Sequence, residues 1–275
     1  MPTALVTGCS SGFGPRIALR FVRGGHRVIA TMRTPAAQPD ELRRAAAEGL
    51  PLTVLPLDVC DAASVAAAVH EAGEVDVVVN NAGIELRSSI EDASEDDVRR
   101  QLETNLFGAL RIIWAVLPGM RARGRGTIVN LSSIAGLVAR PYGGFYSASK
   151  HAIEAVTEAL HYEVKRFGIR VALVEPGQYA TRLLDNAWHG ARFGPASPYW
   201  EASQRFDGHL GRLVPDGRPA DPEEVAGIVY EAATTATPRL RWLAGQDAQT
   251  IAPAHAQMPF EEFEQAMRQA LDWWE

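Results

Sequence analysis

Residues 4–15 read Ala4-Leu5-Val6-Thr7-Gly8-Cys9-Ser10-Ser11-Gly12-Phe13-Gly14-Pro15. An apolar run, Ala4–Thr7, breaks into a glycine turn and then into a helical segment at about 14–23. Strand, glycine turn and helix in that order open a nucleotide-binding βα unit. The glycines let the backbone turn sharply and approach a pyrophosphate, and the helix N-terminus stabilises its charge. Pro15 suits the first turn of the helix, where its missing N–H costs nothing. Many nucleotide-binding domains and some methyltransferases share such a turn, so it does not by itself fix a chemistry.

The rest of the chain repeats the alternation. Short apolar runs at Arg27–Thr31, Leu52–Leu57, Val75–Val79, Thr127–Leu131 and Arg170–Glu175 are nearly continuous, as parallel strands buried on both faces should be. Helical segments at about 40–48, 62–72, 94–121 and 146–167 lie between them. The order predicts an α/β fold, a doubly wound parallel sheet of the Rossmann type, as one domain over 1–275 with ligands at the carboxyl ends of the strands. Ser94 with Asp97, and Asp221 with Glu224, have the spacing of capping boxes. The acidic run Glu91–Asp97 reads as helix-start chemistry rather than a metal site, because acidic residues there favour the dipole.

Composition removes several function classes. Asp and Glu total 33 against 27 Lys and Arg, a net charge of -6, where a nucleic-acid binder would show a basic face. No apolar run approaches the ~20 residues that a membrane-spanning helix needs. No basic segment leads into an apolar stretch at the start, so no signal peptide is expected. Two separated cysteines, Cys9 and Cys60, suit a reducing, cytoplasmic setting. The seven histidines show no metal-ligand spacing, and no metal is expected.

Only two of the basic residues are lysines, Lys150 and Lys165. Lys150 stands four residues after Tyr146, which puts both on one helix face. Six tyrosines and two lysines in 275 residues would give about 0.04 such pairs by chance, so accident is disfavoured. A nearby ammonium favours the phenolate, so the tyrosine pKa is expected to fall and the residue to exchange a proton with a carbonyl or alcohol.

With these residues the chain resembles the short-chain dehydrogenase/reductase family, on its hydroxysteroid-dehydrogenase-like branch. TGxxxGxG is Thr7–Gly14, NNAG is Asn80–Gly83, and the family's asparagine is Asn105 in Thr104–Gly108. The serine strand is Ile128–Ser133, YxxxK is Tyr146–Lys150, and PGxxxT is Pro176–Thr181. Six motifs in the family's order are very specific.

The resemblance implies an oxidoreductase in which Tyr146 is the general acid/base and Ser133, rather than Ser132, holds the substrate oxygen. Lys150 would act on Tyr146 and the nicotinamide ribose, and Asn105 on a water relay to Lys150. It implies a dinucleotide held by Gly8, Ser10, Ser11, Gly12, Phe13 and Gly14, with Asp58, Val59, Asn81, Ala82 and Gly83 near the adenine. Pro176, Gly177, Tyr179 and Thr181 would hold the carboxamide end. It also implies a homodimer or homotetramer.

Strand two ends Met32-Arg33, without the acidic residue that accepts from an NAD ribose. Arg33 suits a 2′-phosphate, which favours NADP(H) over NAD(H). The second basic residue usual before Gly12 is absent, because Ser11 stands there. Residues 178–215 correspond to the family's variable lid and carry Trp188, Phe193, Tyr199, Trp200 and Phe206. These rings would line a site for a bulky apolar ketone or secondary alcohol, or else pack the lid on the body.

The tail at about 251–275 carries Phe260, Phe263, Met267, Leu271 and Trp274 at helical spacing, read as core or subunit contact. The expected partner is a small-molecule carbonyl or alcohol, with no nucleic acid and no membrane. The rival reading is a dinucleotide sensor without catalysis, whose relatives typically lose the Tyr or Lys that this chain keeps.

Overall fold

The computed structural model describes residues 1–181, 183 and 186–272. Its first half alternates β1 (Thr3–Val6), α1 (Phe13–Arg23), β2 (Arg27–Met32), α2 (Asp40–Ala47), β3 (Leu52–Pro56), α3 (Ala62–Ala72) and β4 (Val77–Asn80). After a two-residue β5 (Leu86–Arg87) come α4 (Glu95–Leu102), α5 (Gly108–Arg123), β6 (Gly126–Leu131), α6 (Gly144–Val164) and β7 (Ile169–Pro176). The remainder holds β8 (Trp188–His189), α7 (Trp200–His209), α8 (Pro222–Thr234), β9 (Arg241–Ala244), α9 (Gln246–Gln257) and α10 (Phe260–Leu271).

Seven strands form one parallel sheet in the order β3-β2-β1-β4-β6-β7-β9, so strand order reverses between β1 and β4. That switch point is where an open α/β sheet leaves a crevice for ligand. The central strands are largely apolar, yet their residues sort by alternation. Val6, Val79 and Val129 pack under α1 and α8, while Leu5, Val78 and Ile128 pack under α3, α5 and α6. Burial on both faces is why these strands lack an alternating pattern in sequence.

Two elements differ from expectation. The single helix expected at 94–121 is broken by a π-helical turn over Glu103–Phe107, which inserts residues between α4 and α5. Such a turn re-aims one side chain at the cost of helix regularity, here that of Asn105. The seventh strand, β9, has no counterpart in the expected strands; its four residues are held by pairing with β7. The Ser94–Asp97 capping box forms in both directions, at 3.2 and 3.0 Å. Asp221 caps α8 by accepting from Glu223 N at 3.0 Å. No helix of the described residues is long and apolar enough to cross a membrane.

Candidate active site

The glycine turn leaves β1 at the switch point and is bolted to the Asn81 segment. Thr7 Oγ1 accepts from Asn81 N and Ala82 N, both at 3.0 Å, while Asn81 Nδ2 donates to Thr7 O and Gly8 O. Gly8 has φ +72, and a Cβ there would lie 2.8 Å from Ala82 Cα, so only glycine fits this approach. Gly12 precedes α1 without a side-chain cap, which leaves the first helical amides without that partner. Ser10 is exposed, while Ser11 and Phe13 are half-buried. Phe13 packs edge-on against Tyr179 at 5.6 Å and lines the neighbouring cavity.

Arg33 and Asp58 follow β2 and β3 on the same edge of the sheet. Arg33 is exposed and has no hydrogen bond or ion pair among the described residues. Asp58 Oδ1 accepts from Cys60 N at 2.9 Å, and Val59 is buried against Gly108. On the far side, Thr181 reaches to within 3.8 Å of a Cβ built on Gly12, closing the crevice. The backbone just before it is already spoken for. Gly177 N donates to Ala244 O at 2.9 Å, Gln178 N to Asp247 Oδ2 at 2.7 Å, and Tyr179 bridges to Ala220.

Tyr146 and Lys150 lie on one face of α6 and are both buried. The Lys150 ammonium is 5.7 Å from the Tyr146 ring centroid and donates to Leu131 O at 2.7 Å. Ser133, rather than Ser132, lies against the Tyr146 hydroxyl, whereas Ser132 faces Glu154. Asn105 accepts from Ile84 N at 2.9 Å and donates to Ile84 O and Ser149 Oγ. Its Oδ1 and Lys150 Nζ both lie within 4 Å of a Cβ built on Gly83, so the π-helical turn delivers Asn105 beside the lysine. A buried chain from Asn80 through Asn130 to Thr157, each link 2.8 Å, ties β4 and β6 to α6.

The expected fall in the tyrosine pKa is reversed. Burial pushes the Tyr146 phenol well above its ordinary value, and the Glu85 carboxylate pushes the same way, while Ser133 and Arg140 oppose them. Lys150 is itself depressed to about 8 by burial, opposed by Glu154 and Glu85. Desolvation disfavours both charged forms, and here it outweighs the pairing.

Beside Tyr146 opens a cavity of about 340 Å³. Phe206 and Tyr179 of the lid line it, while Trp188, Phe193 and Tyr199 pack the lid on the body. Trp188 donates to Asp97 and stacks with Arg100, Tyr199 donates to Glu91, and Phe193 and Trp200 pack together at 5.4 Å. The acidic run Glu91–Asp97 thus serves to latch the lid. The far wall comes from α10, through Phe260, Phe263, Met267 and Leu271. The tail thus joins the core through Phe263 and Leu271 and also walls the cavity; Trp274 lies outside the described residues. Glu85, Arg140 and Asp247 also line the cavity, and no sequence pattern singles them out, since each is an isolated polar residue.

Three comparisons bear on this geometry. The family model described as short chain dehydrogenase matches residues 2–191. A 3-ketodihydrosphingosine reductase of Bacteroides thetaiotaomicron is 43% identical over 186 residues, 66% of this chain and 65% of that protein, just under two thirds of its length. Retinol dehydrogenase 8 of Bos taurus is 36% identical over 87% of this chain and 80% of its own. A short-chain dehydrogenase structure from Streptomyces avermitilis superposes with a TM-score of 0.82 at 33% identity, covering 98% of this chain and 99% of that one. Two further structures, both 26% identical, were solved with a nicotinamide dinucleotide. One is a Burkholderia cenocepacia gluconate 5-dehydrogenase with NADP (TM-score 0.76, 90% and 95% covered), the other a Burkholderia phymatum dehydrogenase/reductase with NAD (0.80, 96% and 95%).

Proposed function

The chain belongs to the short-chain dehydrogenase family, and from that premise we propose that it is an NADP(H)-dependent oxidoreductase acting on a bulky apolar ketone or secondary alcohol. The observation that carries the reading is the placement of Tyr146: buried, its hydroxyl against Ser133, a turn from Lys150, and facing an apolar cavity that adjoins the glycine turn.

The residues fit a nicotinamide dinucleotide. Gly12, at φ +66 with only Thr181 within 4 Å of a built Cβ, leaves open space in the turn at the sheet's switch point, and the start of α1 offers its first amides. When bound, the dinucleotide gives or takes the hydride. In the reducing direction Tyr146 donates its proton to the carbonyl oxygen, which Ser133 orients. The buried Lys150 ammonium then offsets the phenolate, and Asn105 and Leu131 O hold the lysine's surroundings. Burial keeps the phenol protonated near neutral pH, so Tyr146 carries the proton, and its release depends on the charge that Lys150 sets against the phenolate. The same groups run the reverse reaction. A sensor without catalysis would have no use for the Tyr146–Ser133–Lys150 arrangement.

The preference for NADP(H) rests on Arg33, an exposed and unpaired guanidinium among the described residues, which follows Met32 in the slot where NAD enzymes carry an acid. The free thiols of Cys9 and Cys60 support a cytoplasmic setting. The homodimer or homotetramer would cover Trp114 and Tyr162, 59% and 73% exposed on α5 and α6, which pack on one face of the sheet. The test is oxidation of NADPH and NADH, followed by nicotinamide absorbance, against aliphatic, aryl and polycyclic ketones. Turnover of bulky ketones with NADPH is expected; turnover confined to small polar carbonyls, or to NADH, would overturn the corresponding part of the reading.

A further inference from the structure

The cavity is apolar along most of its wall, yet Glu85 and Arg140 line it together with Tyr146 and Ser133. Both charges act on the Tyr146 phenol, which places them at the reacting end. Glu85 is 2% exposed. Arg140 donates to its Oε1, and Arg87 lies 3.7 Å from the same oxygen. Arg87 also pairs with Asp207 on the lid helix α7. Among the described residues no donor reaches Glu85 Oε2.

Burying an ion pair carries a desolvation cost that the attraction returns only in part, so this cluster is a poor device for stability. Set into the wall of an apolar cavity, it offers a carboxylate acceptor beside the position of the reacting carbonyl. The two carboxylates and two guanidiniums sum to zero charge. A cationic or anionic headgroup would leave one charge uncompensated in a desolvated place, whereas a neutral hydroxyl would satisfy Oε2 without upsetting the balance.

We propose that Glu85 receives a hydroxyl carried by the substrate next to its reacting carbonyl, making the substrate class an apolar hydroxyketone, or the corresponding diol in reverse. This rests on the oxidoreductase reading and narrows it. The apolar chain runs from the reacting carbon along Phe206 and Met267, and Glu85 sets which functional group leads it in. Arg140 and Arg87 position the carboxylate and do not touch the reacting atoms.

The experiment compares 2-decanone with 1-hydroxy-2-decanone as NADPH-driven substrates of the wild type, of Glu85→Gln, and of Glu85→Leu/Arg140→Met. The paired variant removes both charges together, so no unpaired guanidinium is stranded at position 140, and thermal melts check that each variant folds. The measured quantity is the ratio of kcat/KM for the two ketones within each protein, which cancels any change in the proton affinity of Tyr146. A hydrogen bond to a charged acceptor predicts a preference of about 10- to 100-fold for the hydroxyketone in the wild type. The ratio should shrink in Glu85→Gln and fall near one in the paired variant. A wild-type ratio near one, an undiminished ratio in folded Glu85→Gln, or a preference that survives in the folded paired variant overturns the proposal. If the wild type reduces both ketones equally, only this inference fails; if it reduces neither, the oxidoreductase reading fails and takes this inference with it.

Discussion

The glycine turn at Thr7–Gly14 and the Trp188–His209 lid border the same cavity, but they are held by different kinds of contact. The turn is fixed by backbone geometry: a left-handed glycine, a clash-limited approach to Ala82, and hydrogen bonds that use main-chain groups of Thr7, Gly8 and Asn81. The lid shares a short backbone pairing of β8 with β5, and is otherwise latched by acidic side chains of the body. Trp188 and Ala191 both reach Asp97, Tyr199 reaches Glu91, and Ser197 reaches Asp92. Backbone cradles accept few residue types and therefore leave a readable trace in sequence. Side-chain latches can be built from many residue pairs and leave almost none. The dinucleotide side is the constrained half of the molecule, and the substrate side is the adjustable one.

Four experiments test that contrast. Tyr146→Phe should lower turnover by about 10²- to 10⁴-fold, the range for losing a positioned acid/base, with NADPH affinity kept within about twofold. Near-normal turnover, followed by nicotinamide absorbance, would remove Tyr146 from the chemistry. Arg33→Ala should weaken NADPH by about 10- to 100-fold, as the loss of a charge-assisted bond predicts, and leave NADH nearly unchanged. Equal losses in fluorescence titrations of the two cofactors would sink the phosphate assignment.

On the other side of the cavity, Phe260→Ser/Met267→Ser should raise KM for bulky ketones by about 10-fold through lost apolar contact. NADPH affinity should not move. Phe260 is 68% exposed, so the fold should tolerate the change, and a shift in NADPH affinity would show that the two halves are not separable. The smallest effect concerns pH. Lys150 is held near 8, so its ammonium is present below that pH and lost above it. The pH profile of kcat/KM should therefore fall as pH rises through about 8. Glu154 raises the lysine pKa, so Glu154→Gln should move that fall to lower pH. A fall that stays in place in this variant would detach the profile from Lys150.

The broken helix shows why one part of the catalytic side escaped a linear reading. Residues 94–121 carry helical periodicity throughout, and nothing in it marks the π-helical turn at Glu103–Phe107. The turn exists because Asn105 is anchored on Ile84 and Ser149, contacts that only the folded sheet brings within reach. β9 is a similar case. Its four residues are too few to form a strand alone, and they are ordered by pairing with β7 and by Arg241 reaching Glu154, Glu158 and Glu175. The tyrosine pKa also needed the fold, since its sign depends on how much water burial removes.

By itself the sequence determined the parallel sheet, the glycine cradle, and the helix that carries Tyr146 and Lys150 a turn apart. Each depends on local geometry: burial of whole strands, freedom at φ > 0, and the 3.6-residue period. The tertiary structure alone decided that Trp188, Phe193 and Tyr199 pack the lid on the body while Phe206 and α10 wall the cavity. It also decided that Glu85, Arg140 and Asp207 gather from segments more than fifty residues apart. Those choices turn on which side chains meet across space, and no spacing along the chain encodes that.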